Sequence, residues 1–180
     1  MHDDLVATKA LVFDPGKFEL TDFRAEREST EYAACVFKLD SASICFRVAK
    51  TTPRKVGQFV TLWKRYGTGA IQPFDASDGF DFYVISTRTT AGFGQFVFPR
   101  SVLLEQGVLS HDGWGGKRAI RIYPPWVVTL SRQAQRTQRW QTPHFLEIPG
   151  EGGSVDLDRL KLLYGRPPAG TSKGTATRSK

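Results

Sequence analysis

Apolar and polar positions alternate along this chain in short runs, and clusters of Gly, Pro, Asp or Ser separate the runs. That period of two predicts short strands joined by turns. Cys35 to Leu39 and Ile44 to Ala49 form one predicted hairpin, with Asp-Ser-Ala-Ser as its turn. Phe80 to Arg88 and Gly94 to Pro99 form a second, around Thr-Thr-Ala-Gly. Gly57 to Lys64, Arg118 to Tyr123 and His144 to Ile148 are further strands, and Gly67 to Gly79 is a loop. Helical signals are fewer. Asp3 or Asp4 can cap a helix whose Leu5, Ala7, Leu11 and Val12 roughly share a face, ended by Asp14-Pro-Gly. Ser101 caps a short helix through Gln106, stopped by Gly107. Ser131 caps a helix running to about Gln141. Asp156 caps the last, with Leu157, Leu160 and Leu163 inward and Gly165 as its stop. Strands outnumber helices, and helices sit at both ends of the strand block. The expected class is α/β of the mixed α+β kind: a central mixed β-sheet with helices packed on it. Gly-Gln-Phe-Val occurs at 57–60 and at 94–97. With no wider similarity around them, the two copies read as strands entered by a glycine, not as a repeat.

Composition narrows the class. A chain of 180 residues can bury a core without staples. The expected organisation is one domain over residues 1–165. The tail, 166–180, is rich in Pro, Gly, Ser and Thr with four cations and is expected to be disordered. No apolar run approaches the roughly 20 residues of a membrane span. The N-terminus carries acids where a signal peptide needs a basic flank, so a cytoplasmic protein is expected, with no membrane partner. Two cysteines, Cys35 and Cys45, are too few for a disulfide framework. They either face one another across the first hairpin or act as small buried apolar groups. His2, His111 and His144 do not cluster with cysteine, and no zinc spacing is present.

Charge changes the picture more. The net +7 is uneven: residues 1–49 carry six basic and nine acidic side chains, residues 50–140 thirteen and five, residues 141–180 six and four. A cationic middle favours an anionic partner. The run from Lys50 to Arg65 holds Lys50, Arg54, Lys55, Lys64 and Arg65 with no acid, interleaved with Phe59, Val60, Leu62 and Trp63. Cations beside flat side chains suit a polyanion whose bases stack. The helix after Ser131 is polar nearly all round. Arg132, Arg136 and Arg139 share one face; Gln133, Thr137 and Trp140 line another. Such a helix is bridging, functional or unstable, and its guanidiniums call for an anion. Its four glutamines are candidate hydrogen-bonders to bases or sugars. Between the two segments, Gly115-Gly116-Lys117-Arg118 reads as a flexible basic loop able to approach a phosphate backbone. It lacks the ending of a P-loop. Arg121 shares a strand face with Tyr123, and Tyr123 and Trp126 are candidate stacking platforms.

Catalytic signals are weaker. Asp75, Asp78 and Asp81 stand before and at the start of a strand. Two acids and a lysine can hold a divalent metal and activate water against a phosphodiester. The acid-x-lysine triplet of nucleases is missing, because Asp81-Phe-Tyr83 has tyrosine in the lysine position and Gln95-Phe-Val97 has neither group. Glu28 or Glu31 can add an acid and Lys50 a lysine. The alternative to such a site is that these aspartates are turn and cap residues. No Ser-His-Asp or Cys-His arrangement has supporting context.

The runs FRVAKTTPRKVGQFVTLWKR, IQPFD, FDFYVIS, GQFVFPRSVL, GKRAIRIYPPW and QAQRTQRWQ occur in this order between about Glu28 and Phe145. Together they resemble the MepB family of small bacterial proteins. The resemblance implies a fold similar to the PD-(D/E)XK endonucleases, a central mixed sheet with helices on both faces. It also implies that the endonuclease active-site set is not kept as a motif, in agreement with Tyr83, Gln95 and Val97 here. The expected function is binding of RNA or DNA, single strands favoured and with little sequence preference, without catalysis and without a cofactor. The expected contacts are Lys50, Arg54, Lys55, Trp63, Lys64, Arg65, Lys117, Arg118, Arg121, Trp126, Arg132, Gln133, Arg136, Arg139 and Trp140. The rival reading is a magnesium- or manganese-dependent nuclease built from Asp75, Asp81, Glu31 and Lys50. A third is a regulatory protein that binds a protein partner through an apolar patch at Trp114 or Trp126.

Overall fold

The computed structural model describes residues 1–150 and 152–165. The tail expected to be disordered, 166–180, lies outside them. The chain opens with helix α1 (Asp3–Thr8), then strands β1 (Leu20–Ala25), β2 (Cys35–Leu39) and β3 (Ala42–Val48). Short strands β4 (Lys50–Thr52), β5 (Lys55–Thr61), β6 (Trp63–Lys64) and β7 (Gln72–Pro73) follow. Then come β8 (Phe82–Thr89), β9 (Gly92–Pro99), α2 (Arg100–Glu105), β10 (Ser110–His111), β11 (Trp114–Gly115) and β12 (Ala119–Ile122). The chain closes with α3 (Arg132–Gln141), β13 (Phe145–Glu147) and α4 (Leu157–Leu163).

A six-stranded sheet, ordered β1-β2-β3-β8-β9-β13, forms the centre. Its pairs are antiparallel except β3 with β8, where Ile44 to Val48 run parallel to Phe82 to Ser86. Parallel neighbours cannot be joined by a hairpin and need a crossover. Here the crossover is residues 49–81, and it carries the basic run from Lys50 to Arg65. Its strand β5 pairs with β4 on one side and with β12 on the other in a second sheet, ordered β12-β5-β4.

Alternation along the central strands builds two cores. Ile44, Phe46, Val84 and Val97 turn to one face, where Leu5 of α1 and Leu160 and Leu163 of α4 cover them. Cys45, Tyr83, Ile85, Phe96 and Phe98 turn to the other, against Leu103 of α2 and Val60, Ile120 and Ile122 of the small sheet. Trp140 of α3 packs at the edge of that second core. The expected mixed sheet with helices on it is therefore what the chain builds, with helices on both faces. Among the described residues no helix is long and apolar enough to cross a membrane.

Several local expectations are corrected. The first helix is capped by His2, whose Nδ1 accepts from the Asp4 amide at 3.1 Å. Asp4 is buried instead, accepting from Arg88 Nε at 2.7 Å and Ser86 Oγ at 3.0 Å. The helix then widens into a π-turn over Lys9–Phe13. The wider turn brings Val12 and Phe13 inward together and leaves Leu11 exposed. Ser101 lies inside α2, and Pro99 occupies the cap position with no side-chain bond. Ser131 and Asp156 cap their helices as expected, although Leu157 is exposed. Cys35 pairs with Phe46 and Cys45 with Val36, so the two thiols do not oppose one another. Each is free and buried, in different cores. Burial pushes both thiols up to about 12.

Gly94 shows how tightly the sheet edge is closed. A Cβ there would fall 2.2 Å from the Phe145 ring and 2.7 Å from the Leu146 carbonyl oxygen. Both belong to β13, the neighbouring strand, and cannot retreat without breaking the pairing. Gly94→Ala is therefore expected to cost about 3 kcal/mol, the upper range for overpacking. Thermal denaturation should show Tm lower by about 10 °C.

Candidate nucleic-acid interface

The most conspicuous cationic run in the sequence is the one that the fold neutralises most. Lys64 pairs with Asp78 and also donates to the Tyr66 hydroxyl. Arg65 Nε lies 2.8 Å from a Glu28 oxygen, and its Nη1 donates to the Gly69 carbonyl at 2.7 Å. The Arg65 guanidinium also sits over the Trp63 ring, 5.6 Å from its centroid. Those acids come from outside the run, from residues 28 and 78, so the run itself gives no hint of them. Lys50 lies over the Tyr32 ring at 5.2 Å. Arg54 and Lys55, in the β4–β5 turn, are exposed and form no ion pair among the described residues.

Arg121 has a structural task. Its Nη1 donates to the carbonyls of Lys55, Val56 and Gly57 at 3.1–3.3 Å, and its Nη2 to Thr52 Oγ1 at 3.0 Å. The guanidinium clamps the start of β5 and the end of β4 to β12, so it contributes positive potential and not an open fork for phosphate. Trp126 is also committed. Its ring packs edge-on against Phe145 at 5.4 Å and lies within about 3 Å of a Cβ built at Gly92. The Gly115–Lys117 stretch is pinned as well. Gly116 has φ +79°, and a Cβ there would meet Pro73 Cβ at 2.7 Å and the Ser110 amide at 2.8 Å. The Lys117 amide donates to the Val108 carbonyl. This geometry leaves the side chains of Lys117 and Arg118 exposed on a fixed backbone.

Helix α3 docks through its glutamines. Gln141 is fully buried; its Nε2 donates to the Arg121 carbonyl at 3.0 Å and its Oε1 accepts from the Tyr123 amide at 2.9 Å. It thus covers the free edge of β12 as a further strand would. Gln138 Nε2 donates to the carbonyls of Pro124 and Val127, and Gln135 Nε2 to Thr129. Three of the four glutamines are therefore bound to backbone, which is how a helix without an apolar stripe stays attached. Gln133 is exposed. Trp140 packs on Phe98 at 5.3 Å and is half-buried. Arg132, Arg136 and Arg139 are exposed and form no ion pair among the described residues.

Between β12 and α3 runs a cleft of about 630 Å³. Lys117 and Arg136 stand at its walls with Gln133, Tyr123 and Trp140, and no Asp or Glu lines it. Its apolar side includes Val108, which carries no charge or motif and which sequence reasoning passed over.

The acids are spread apart. Asp75 is buried and saturated: it accepts from Ser110 Oγ at 2.7 Å, Ser77 Oγ at 2.7 Å, the Ser77 amide at 3.0 Å and the Gly113 amide at 3.0 Å. These donors, Ser110 foremost, hold its carboxyl well below the usual carboxylate range. Asp78 completes a capping box with it and binds Lys64. Asp81 accepts from the Ser43 amide at the start of β3. Lys50 lies beyond the other end of that strand, about 20 Å away at the rise of an extended chain. Glu31, next to Tyr32, is at the Lys50 end. Among the described residues no group of three or more His, Cys, Asp or Glu could hold a metal ion. Asp75, Asp81, Glu31 and Lys50 are thus not brought together, and the aspartates serve as turn, cap and strand-end ligands.

The comparison with curated proteins finds no match. The crystal structure of MepB is similar to this fold, with a TM-score of 0.71 and 31% sequence identity, covering 84% of this chain and 100% of that one. The model of the MepB-like family matches residues 26–147, which include the basic crossover, the cleft and α3. Matched over most of its length, the chain belongs to the MepB-like family.

Proposed function

We propose that this protein binds nucleic acid, single strands in preference to duplex, with little sequence preference and without cleaving it. The observation that carries this reading is the unpaired cationic surface along β12 and α3. Lys9 with Asp14, Lys38 with Asp22, Arg47 with Glu26 and Arg88 with Asp4 form ion pairs on other parts of the molecule, where single cations such as Arg24 and Arg54 also stay unpaired among the described residues. Lys117, Arg118, Arg132, Arg136 and Arg139 meet no carboxylate among the described residues. Cations held near one another without acids raise the local potential and draw an anion with regularly spaced charge. Half-buried Trp140 and Tyr123 beside them favour a partner with bases free to stack, which duplexes do not offer.

The test is binding of labelled single-stranded RNA, single-stranded DNA and duplex DNA at several salt concentrations with magnesium present. The expected result is intact single strands bound more tightly than duplex, with affinity falling steeply as salt rises. Replacing Arg132, Arg136 and Arg139 together by Gln should flatten the log–log salt slope by about 2, at roughly 0.7 per phosphate on a single strand. A salt response that is flat from the start would defeat the mechanism. Shortened strands on a denaturing gel would assign a hydrolytic site instead.

A further inference from the structure

We infer that the β12–α3 cleft is a seat for one unstacked nucleotide, its phosphate held by Lys117 and Arg136 and its base laid against Trp140. This rests on the reading of the protein as a single-strand binder and deepens it by giving the strand a fixed point of attachment.

The size comes first. A cleft of about 630 Å³ falls within the range of small-molecule sites, between about 300 and 1,000 Å³. The extended surface of α3 around Arg132 and Arg139 can track a backbone, and the cleft beside it is concave. The lining then selects the chemistry. Val108, Ala119 and Ile120 supply apolar surface, and Tyr123 and Trp140 supply aromatic surface. Polar side chains make up the larger share of the lining, so the cleft suits a ligand that carries charge as well as a flat ring. Lys117 and Arg136 are its uncommitted cations, since Arg121 is spent on carbonyls at the start of β5. No carboxylate lines the cleft to neutralise them. Two cations with no carboxylate between them favour an anion, and a purely inorganic anion would leave the aromatic surface uncovered. A planar base joined to a phosphate satisfies both. Gln133 and Thr137 are on the same lining and offer an amide and a hydroxyl for sugar or base edge. Gln141 also lines the cleft, but both ends of its amide are already bound to β12, so it is a wall and not a contact.

Rigidity favours the assignment. Trp140 is braced from behind by Phe98, and the Lys117 backbone is fixed by its bond to Val108 and by the close fit of Gly116. A stacking platform that is seated before the ligand arrives loses little freedom on binding it.

The probes are adenosine monophosphate, adenosine and a short single-stranded RNA, each titrated against the full chain by calorimetry and by competition. The variants are Arg136→Gln in the cleft and Arg24→Gln, exposed on the edge strand β1, as a control. Adenosine monophosphate is expected to bind, to displace the RNA, and to bind about tenfold more weakly to Arg136→Gln, the effect of one charge-assisted contact. Adenosine should bind at least about tenfold more weakly than its phosphate, and Arg24→Gln should leave nucleotide affinity unchanged. RNA binding that adenosine monophosphate does not displace, and that Arg136→Gln leaves unaltered, overturns the cleft while the broader reading stands. Nucleotide binding sensitive to Arg136→Gln without any RNA binding supports the cleft and sinks the broader reading. Equal affinity for adenosine and its phosphate would overturn the assignment of Lys117 and Arg136 to phosphate.

Discussion

Replacing Glu26 by Ala is expected to destabilise the protein by about 3–5 kcal/mol, the cost of leaving a buried charge without its partner. The charge is that of Arg47, which is 2% exposed in the middle of the central sheet. Its Nη2 lies 2.5 Å from a Glu26 oxygen. Its Nη1 donates to the Phe46 carbonyl at 2.8 Å, and its guanidinium sits over the Phe74 ring at 5.6 Å. Its Nε has no hydrogen-bond partner among the described residues. Glu26 therefore supplies the compensating negative charge, and nothing else nearby is shown to replace it. In a chain of this size a loss of that order lowers Tm by about 10 °C or more. The companion variant separates charge from packing. Arg47→Met combined with Glu26→Ala removes the ion along with its partner, and should recover most of the lost stability, because a well-packed apolar side chain is about as good as a buried ion pair. If Glu26→Ala alone shifts the denaturation midpoint no further than an ordinary surface change, Arg47 is not buried in solution as described.

The second large effect is expected at Asp75. Asp75→Asn should cost about 2–3 kcal/mol at neutral pH, because an amide cannot accept from the serine hydroxyls and two backbone amides as a carboxylate does. The same site sets a pH dependence. The folded state lowers this carboxyl below its ordinary value of 3.8. Its stabilisation is thus fully present above that value and is lost as pH falls through it toward the folded value. Urea denaturation between pH 7 and pH 2 should show the native protein losing its advantage over Asp75→Asn below about pH 4. A pH-independent gap between the two would mean that the hydroxyls, and not the charge, make the difference. These bonds give Asp75 the work of fixing the 75–78 turn to β10, so a loss of nucleic-acid binding in this variant would come through the fold.

Much of the architecture could be read from the sequence. Both hairpins stand where alternation and turn residues place them, and Ser131 and Asp156 cap their helices. These features depend on neighbours within a few residues. What sequence hid depends on partners far along the chain. The parallel seam of β3 and β8 turns the basic run into a crossover, and Glu28 and Asp78 then reach it from either side. Charge counted along the sequence therefore overstated Lys64 and Arg65 and ranked them with Arg132, Arg136 and Arg139, which stay unpaired. Arg121 and Trp126 show the same dependence on distant partners: each is amphipathic, and the fold sets which part of it packs. Arg47 gave no signal beyond a cation inside an apolar run.

The way α3 is attached has a consequence for motion. Its buried residues are Ala134 and Gln141, and its hold on the body is largely amide hydrogen bonds with Trp140 at one end. Water can replace those bonds one for one when the helix lifts, and little apolar surface is exposed by lifting it. Local opening of this helix is therefore inexpensive compared with opening either core, and it belongs to the low-stability end of the structure. The cleft is therefore formed only while α3 is seated, and the contact of Trp140 with Phe98 is what seats the C-terminal end of that helix.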